Sequence, residues 1–185
     1  MREDFGLETK FSRLTGVAET AEGLRIEGYA SLFGVADQGG DVVEAGAYAR
    51  SLKRLGASGG RVKMLWQHDP AEPIGIWEEV REDAKGLFVK GRLLPDVARA
   101  REAAALIGAG AIDGLSIGYR TVTAEKDGKG QRHLRELDLW EVSLVTFPML
   151  PEARVGAKGD GVEEMRDLAE ALEAGRRMMA GLRRG

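Results

Sequence analysis

A hydroxyl, an imidazole and a carboxylate stand in three separate stretches of this chain. Ser116 lies in Gly114-Leu115-Ser116-Ile117-Gly118, His68 in Trp66-Gln67-His68-Asp69-Pro70, and Glu141 in Leu139-Trp140-Glu141-Val142-Ser143. A serine alcohol is a weak nucleophile until a base takes its proton. An imidazole with a pKa of about 6.5 can do so at neutral pH, and a carboxylate can hold that imidazole in place. The three groups together would support acyl transfer, so the chain reads as a serine hydrolase. Each falls on strand-like sequence, where a period of two decides which side chains share a face.

Alternation around the serine places Leu115, Ile117 and Tyr119 on one face and Gly114, Ser116 and Gly118 on the other. Two glycines beside one hydroxyl give up packing but leave room for another backbone to approach the oxygen. A glycine-flanked strand bend with an incidental serine has the same pattern. His68 follows Met64 and Trp66 on one strand face, and Pro70 is expected to end that strand and leave the imidazole at its rim. A surface histidine capping a strand is the plainer account of such a position. His133, flanked by Arg132 and Arg135 at what reads as an exposed strand start, fits that plainer account better, since its neighbours would repel an imidazolium. From Leu137 to Phe147, alternation puts Leu137, Leu139, Glu141, Ser143, Val145 and Phe147 on one face, so a carboxylate interrupts a mostly apolar row. A buried carboxylate needs a partner, and an imidazole or an arginine would serve. Asp138, on the opposite face with Trp140, is the weaker candidate for an orienting acid.

The Gly114 to Gly118 segment also matches the G-x-S-x-G elbow of α/β-hydrolases, which requires a helix directly after the serine. Tyr119-Arg120-Thr121-Val122-Thr123 is β-branched and aromatic strand sequence instead. The elbow's order of serine, acid, histidine would have to use His133, which is too close behind Ser116 for a strand and a helix to intervene.

The elements that must position these groups are mostly strands. Between Phe11 and Phe33, runs such as Leu24-Arg25-Ile26-Glu27-Gly28-Tyr29 alternate apolar with polar. After Gly39-Gly40, the spacing of Ala45, Tyr48, Ala49, Leu52 and Leu55 predicts a short helix stopped at Gly56. Strands are predicted over Arg61 to Gln67, Ile74 to Val80 and Gly86 to Leu94. Pro95-Asp96 opens a second helix with Val97, Ala100, Ala104 and Ile107 on one face, stopped by Gly108 and Gly110. Leu115 to Ala124 and His133 to Phe147 should pair as a hairpin around the loop Asp127-Gly128-Lys129-Gly130. A glycine-rich linker from Gly156 to Gly161 leads to an amphipathic helix from about Val162 to Leu182, with Met165, Leu168, Leu172, Met179 and Leu182 on one side. The expected domains are therefore 1–155, carrying the site, and 156–185, an appendage. The expected class is mainly β with α: a small closed or partly closed barrel of about seven strands, with helices packed outside.

Composition narrows the function further. A formal charge of -3, from 27 basic and 30 acidic residues, offers no basic face for nucleic acid. With no cysteine, the chemistry rests on oxygen and imidazole groups, without disulfides, thiolates or zinc-thiolate sites. No stretch approaches the ~20 apolar residues of a membrane helix, and the first residues lack a signal-peptide core, so a cytoplasmic protein without a membrane partner is expected.

These residues resemble those of the prohead serine proteases of HK97-like tailed phages, a family similar in fold to the herpesvirus assemblins. The likeness runs from about Gly23 to about Ala157. It is carried by Gly28-Tyr29-Ala30-Ser31-Leu32-Phe33, by Asp41-Val42-Val43 with Gly46-Ala47-Tyr48, by Leu65-Trp66-Gln67-His68-Asp69, by Gly114-Leu115-Ser116-Ile117-Gly118-Tyr119, and by Trp140-Glu141-Val142-Ser143-Leu144-Val145-Thr146-Phe147-Pro148. The resemblance implies a herpesvirus-protease-like fold, with His68 as general base, Ser116 as nucleophile and Glu141 as the orienting acid. His133 is the rival for that third role, because assemblins have a second histidine there. It also implies backbone oxyanion donors around Met149 and Leu150 and no cofactor. The implied substrate is the scaffolding segment of the major capsid protein, together with the protease itself, inside the assembling prohead in the bacterial host cytoplasm. The terminal helix would serve packaging, dimerisation as a homodimer, or removal. Two rival functions stand beside this one: a non-catalytic assembly or scaffolding protein that keeps the fold, and an esterase acting on small molecules.

Overall fold

The computed structural model describes residues 8–20, 23–37, 39–128 and 130–146. Among these the elements run β1 (Glu8–Thr20), β2 (Gly23–Leu32), β3 (Asp41–Val43), α1 (Ala49–Ala57), β4 (Lys63–Trp66), β5 (Asp69–Glu82), β6 (Gly86–Leu93), α2 (Ala98–Gly108), β7 (Gly114–Lys126) and β8 (Arg132–Val145). The strands form one eight-stranded mixed sheet in the order β3-β8-β4-β5-β6-β2-β1-β7, and β7 pairs in addition with β8. The two parallel pairings are β3 with β8 and β4 with β8; the rest are antiparallel. The fold is mainly β with few helices, as the alternating patterns require. The expected linker and terminal helix, and Met149 and Leu150, lie outside the described residues.

One face of the sheet makes the core. Ile26 from β2, Met64 from β4, Trp77 from β5, Val89 from β6, Leu115, Ile117 and Tyr119 from β7, and Leu134, Leu137 and Leu139 from β8 pack into a single buried cluster. Each large aliphatic side chain taken fully out of water contributes about 1.5–3 kcal/mol. In β2 the polar neighbours Arg25 and Glu27 flank buried Ile26, which is the alternation read from the sequence. α2 buries Ala100, Ala103 and Ile107 and packs against β5 and β6. α1 starts at Ala49, four residues later than its apolar spacing predicts, because residues 45–48 form turns that bury Ala47 and Tyr48. β3 has no counterpart among the predicted strands. Three residues carry too little periodicity to read, and its partners Arg132 to Leu134 lie far along the chain.

Two departures from simple alternation decide where the polar groups go. In β7–β8 the register is Tyr119 to Leu139 and then Gly118 to Glu141, so Trp140 is an extra residue in β8. Such a bulge shifts every following side chain to the other face. Leu137 and Leu139 before it and Val142 and Leu144 after it therefore all reach the core, while Glu141 and Ser143 lie on the opposite face. This corrects the single row from Leu137 to Phe147 that strict alternation predicts. The second departure is at His68. Pro70 does not end a strand there: β4 stops at Trp66, Gln67 and His68 make a two-residue turn, and β5 begins at Asp69 and runs through Pro70 and Pro73.

Candidate active site

Ser116 and Ser143 are opposite each other in the β7–β8 ladder, and Gly118 is opposite Glu141. In the parallel β4–β8 ladder Leu65 is beside Ser143 and Trp66 beside Leu144, so the turn after β4 emerges next to the same stretch of β8. That turn carries the imidazole. Gln67 and His68 both have positive φ, 52° and 61°, the left-handed region that tight hairpin turns demand and that side-chain-bearing residues enter at a cost of about 1–3 kcal/mol. Three bonds, two to β8 and one to Thr146 just after it, offset it. The Gln67 amide donates to the Leu144 carbonyl at 2.9 Å, the Gln67 side-chain amide donates to Thr146 Oγ1 at 2.7 Å, and the His68 amide donates to Ser143 Oγ at 3.2 Å.

Within this frame the three groups picked out from the sequence form one hydrogen-bonded row. Ser116 Oγ is 2.6 Å from His68 Nε2, and His68 Nδ1 is 2.5 Å from Glu141 Oε1. A carboxylate can only accept, so the proton between them belongs to Nδ1. Nε2 then presents a lone pair to the Ser116 hydroxyl, which donates. The second carboxylate oxygen accepts from Ser143 Oγ at 2.5 Å. Glu141 is thus a buried carboxylate, 4% exposed, whose two oxygens each have a donor. That meets the demand that made its position informative in the sequence. Ser116 is fully buried, and the imidazole keeps about a fifth of its surface, 19%, in solvent.

Gly118 explains how Glu141 reaches the imidazole. A Cβ on Gly118 would meet Glu141 Oε1 at 2.1 Å, Cδ at 2.8 Å and Cγ at 2.9 Å, so the glutamate lies flat across the space a side chain would fill. The opening beside Ser116 therefore admits a carboxylate side chain, where the sequence pattern suggested an approaching backbone. Neither reading of the sequence gave Ser143 a part. The signal that could have found it is a second polar residue two places after Glu141 on a strand that is otherwise apolar.

The remaining candidates are placed elsewhere. His133 Nδ1 is 2.6 Å from Glu44 Oε1, and Nε2 is 3.7 Å from Asp127 Oδ2. The hydrogen bond that its ring N–H donates to Glu44, with the charges of both carboxylates, raises its pKa above the usual 6.5 against a smaller opposing effect of burial. The repulsion expected from Arg132 and Arg135 is thus outweighed by partners that only the fold supplies. His133 and Ser143 are 143 - 133 = 10 residues apart on β8, a span of roughly 30 Å at about 3.3 Å per residue. Asp138 takes the arginine partnership weighed for Glu141. It binds Arg54 of α1, Arg120 Nη2 at 3.1 Å and the Ser51 hydroxyl at 3.4 Å. Burial opposes its ionisation, but Arg54, Trp140 and Arg120 outweigh that and hold its pKa below the ordinary carboxylate value. Ser116 is followed by strand to Lys126, as the exclusion of the hydrolase elbow requires. Among the described residues no group of three His, Asp or Glu side chains could hold a metal ion, and no helix is long and apolar enough to cross a membrane.

A family model described as caudovirus prohead serine protease matches residues 12–168. The chain is 33% identical over 153 residues to the prohead protease of Enterobacteria phage HK97, a match that takes in 79% of this chain and 66% of that protein. The chain thus spans just under two thirds of this relative's length. The solved structure of the bacteriophage T4 capsid assembly protease superposes with a TM-score of 0.64 over 75% of this chain and 96% of that one, at 17% identity, which speaks to the fold alone.

Proposed function

The chain belongs to the caudovirus prohead serine protease family, and from that membership we propose that it is a serine endopeptidase of capsid maturation, with Ser116 as nucleophile, His68 as general base and Glu141 as the acid that orients the imidazole. The observation that carries the reading is the continuous row from Ser116 Oγ through both ring nitrogens of His68 to Glu141 Oε1. In it the hydroxyl, the base and the orienting carboxylate each have the partner that this chemistry needs. The reading takes the β7–β8 pairing as completing the small barrel suggested by the sequence, and residues 1–155 as the protease domain.

In this mechanism Ser116 Oγ forms a bond to the carbonyl carbon of the scissile peptide as His68 Nε2 takes the hydroxyl proton. The imidazolium so formed is stabilised by Glu141. Collapse of the tetrahedral species breaks the C–N bond, and Nε2 gives its proton to the leaving amine. Water then attacks the acyl-enzyme, its proton passes to Nε2 and returns to Ser116 Oγ, and the acid product leaves. The developing oxyanion is assigned to backbone amides at Met149 and Leu150. The substrate in this reading is the scaffolding segment of the major capsid protein, with the protease itself as a second substrate, inside the prohead in the host cytoplasm.

The test is incubation of the chain with the coat protein of the phage or phage-derived particle it comes from, followed by mass spectrometry of the fragments. The wild-type chain should release the coat protein's amino-terminal segment. Ser116→Ala should lower the rate by about 10⁴- to 10⁶-fold with the fold intact. Intact coat protein with both chains would support the scaffolding alternative and overturn this one, and hydrolysis of small esters without peptide cleavage would support an esterase.

A further inference from the structure

Ser143 is fully buried on a strand, yet its hydroxyl is engaged on both sides: it accepts the His68 amide at 3.2 Å and donates to Glu141 Oε2 at 2.5 Å. One oxygen therefore touches the backbone of the residue that carries the imidazole and the carboxylate that orients that imidazole. We infer that Ser143 is a positioning residue for the reaction, fixing the left-handed backbone at His68 and the rotamer of Glu141 at the same time. This rests on the proposed roles of Ser116, His68 and Glu141.

Two physical arguments support it. His68 sits at φ 61°, a conformation that persists only where the surroundings hold it. Of the backbone amides that tie this turn to β8, the one that bonds to Ser143 Oγ is the amide of His68 itself. For Glu141, a carboxylate with two oxygens and one imidazole to meet can rotate. Ser143, by occupying Oε2, leaves Oε1 as the acceptor for Nδ1–H and thereby keeps Nε2 facing Ser116. A serine placed here only to fill space would need neither bond.

The experiment uses the full chain and a small alkyl fluorophosphonate, which modifies an activated serine without requiring knowledge of the natural substrate. Phosphonylation of Ser116 is followed by intact mass, with Ser116→Ala as the unlabelled control and thermal unfolding as the check on the fold. Ser143→Ala should slow labelling by about 10- to 100-fold, the size expected for losing hydrogen bonds to a charged group. The pH profile of its labelling should differ from that of the wild type, because Glu141 has lost one of its two donors. Ser143→Thr, which keeps the hydroxyl, should restore most of the rate. Combined with Glu141→Ala, the Ser143→Ala change should add little, since its route of action is already gone. If Ser143→Ala does not fold, Ser143→Cys keeps the volume without the strong donor and carries the same expectations. The proton on His68 Nδ1, read as a downfield signal in proton NMR, should weaken or shift in Ser143→Ala and return in Ser143→Thr. A folded Ser143→Ala chain with wild-type rate, pH profile and Nδ1 signal overturns the positioning role while leaving the labelled Ser116 intact. A wild-type chain that does not label at Ser116 overturns the proposed function instead, and the NMR signal alone then decides the role of Ser143.

Discussion

Gly118→Ala separates the geometry of the site from the stability of the sheet. The added Cβ would lie 2.1 Å from Glu141 Oε1, 2.8 Å from Cδ and 2.9 Å from Cγ. Ordinary contact between such atoms is about 3.5 Å, so the carboxylate must retreat by roughly 1 Å or more. From the present 2.5 Å, a shift of that size takes Oε1 to the limit of a hydrogen bond to His68 Nδ1. The backbone has no reason to resist, because alanine in a strand interior is favoured over glycine by about 0.5–1 kcal/mol. Displacing Glu141 from its donors costs about 1–3 kcal/mol, leaving a net loss that a domain with about 5–15 kcal/mol of stability survives. Catalysis should suffer more: losing the orienting acid lowers turnover by up to about 10⁴-fold in serine proteases, and a displaced rather than absent carboxylate should cost about 10²- to 10⁴-fold. The assay is the rate of fluorophosphonate labelling of Ser116, alongside thermal unfolding. A folded Gly118→Ala chain that labels within about threefold of wild type would show that Glu141 need not lie across this glycine, and the argument for its role would fail.

Three further outcomes follow from the contacts of Glu141, His133 and Asp138. Glu141→Gln should reduce the labelling rate far more than His133→Ala, whose imidazole is bound to Glu44 away from Ser116; the reverse ranking would refute the orienting role of Glu141. His133 has its pKa raised by Glu44 and Asp127, so the stability it contributes is fully present below its unfolded value of about 6.5 and is lost as pH rises through its higher folded value. Unfolding temperatures should therefore fall between pH 6 and pH 8 by more in the wild type than in His133→Gln, and equal slopes would refute a stabilising role for its contacts with Glu44 and Asp127. Asp138→Asn should lower stability by about 1–2 kcal/mol, since Arg54 and Arg120 are more than half exposed and can return to water. Because the folded pKa of Asp138 is depressed, the wild type should lose this advantage as pH falls below about 4, which acid titration of both chains by circular dichroism would reveal.

Ser116, His68 and Glu141 were legible in the sequence because each broke a local pattern: a hydroxyl between two glycines, an imidazole beside a turn, a carboxylate in an apolar strand. Most strands and both described helices were legible for the complementary reason, that burying one face imposes a period on the residues that form it. The sequence alone thus settled which groups were available and that the chain would be mainly β. What it could not contain were distances between residues far apart in the chain. Glu141 faces Ser116 only because Trp140 bulges out of β8, a register event that depends on β7 lying opposite and that alternation within one strand conceals. Asp138 and His133 found arginine and carboxylate partners on α1, on β7, just after β3 and in the β7–β8 loop, so they are held by ion pairs that no local pattern announces. Ser143 gains its part only from the parallel pairing of β4 with β8, which brings the His68 amide to its hydroxyl. Local side-chain periodicity follows from the backbone's own geometry, but hydrogen bonds between strands are set only when the whole sheet is assembled, and this site is built from the latter.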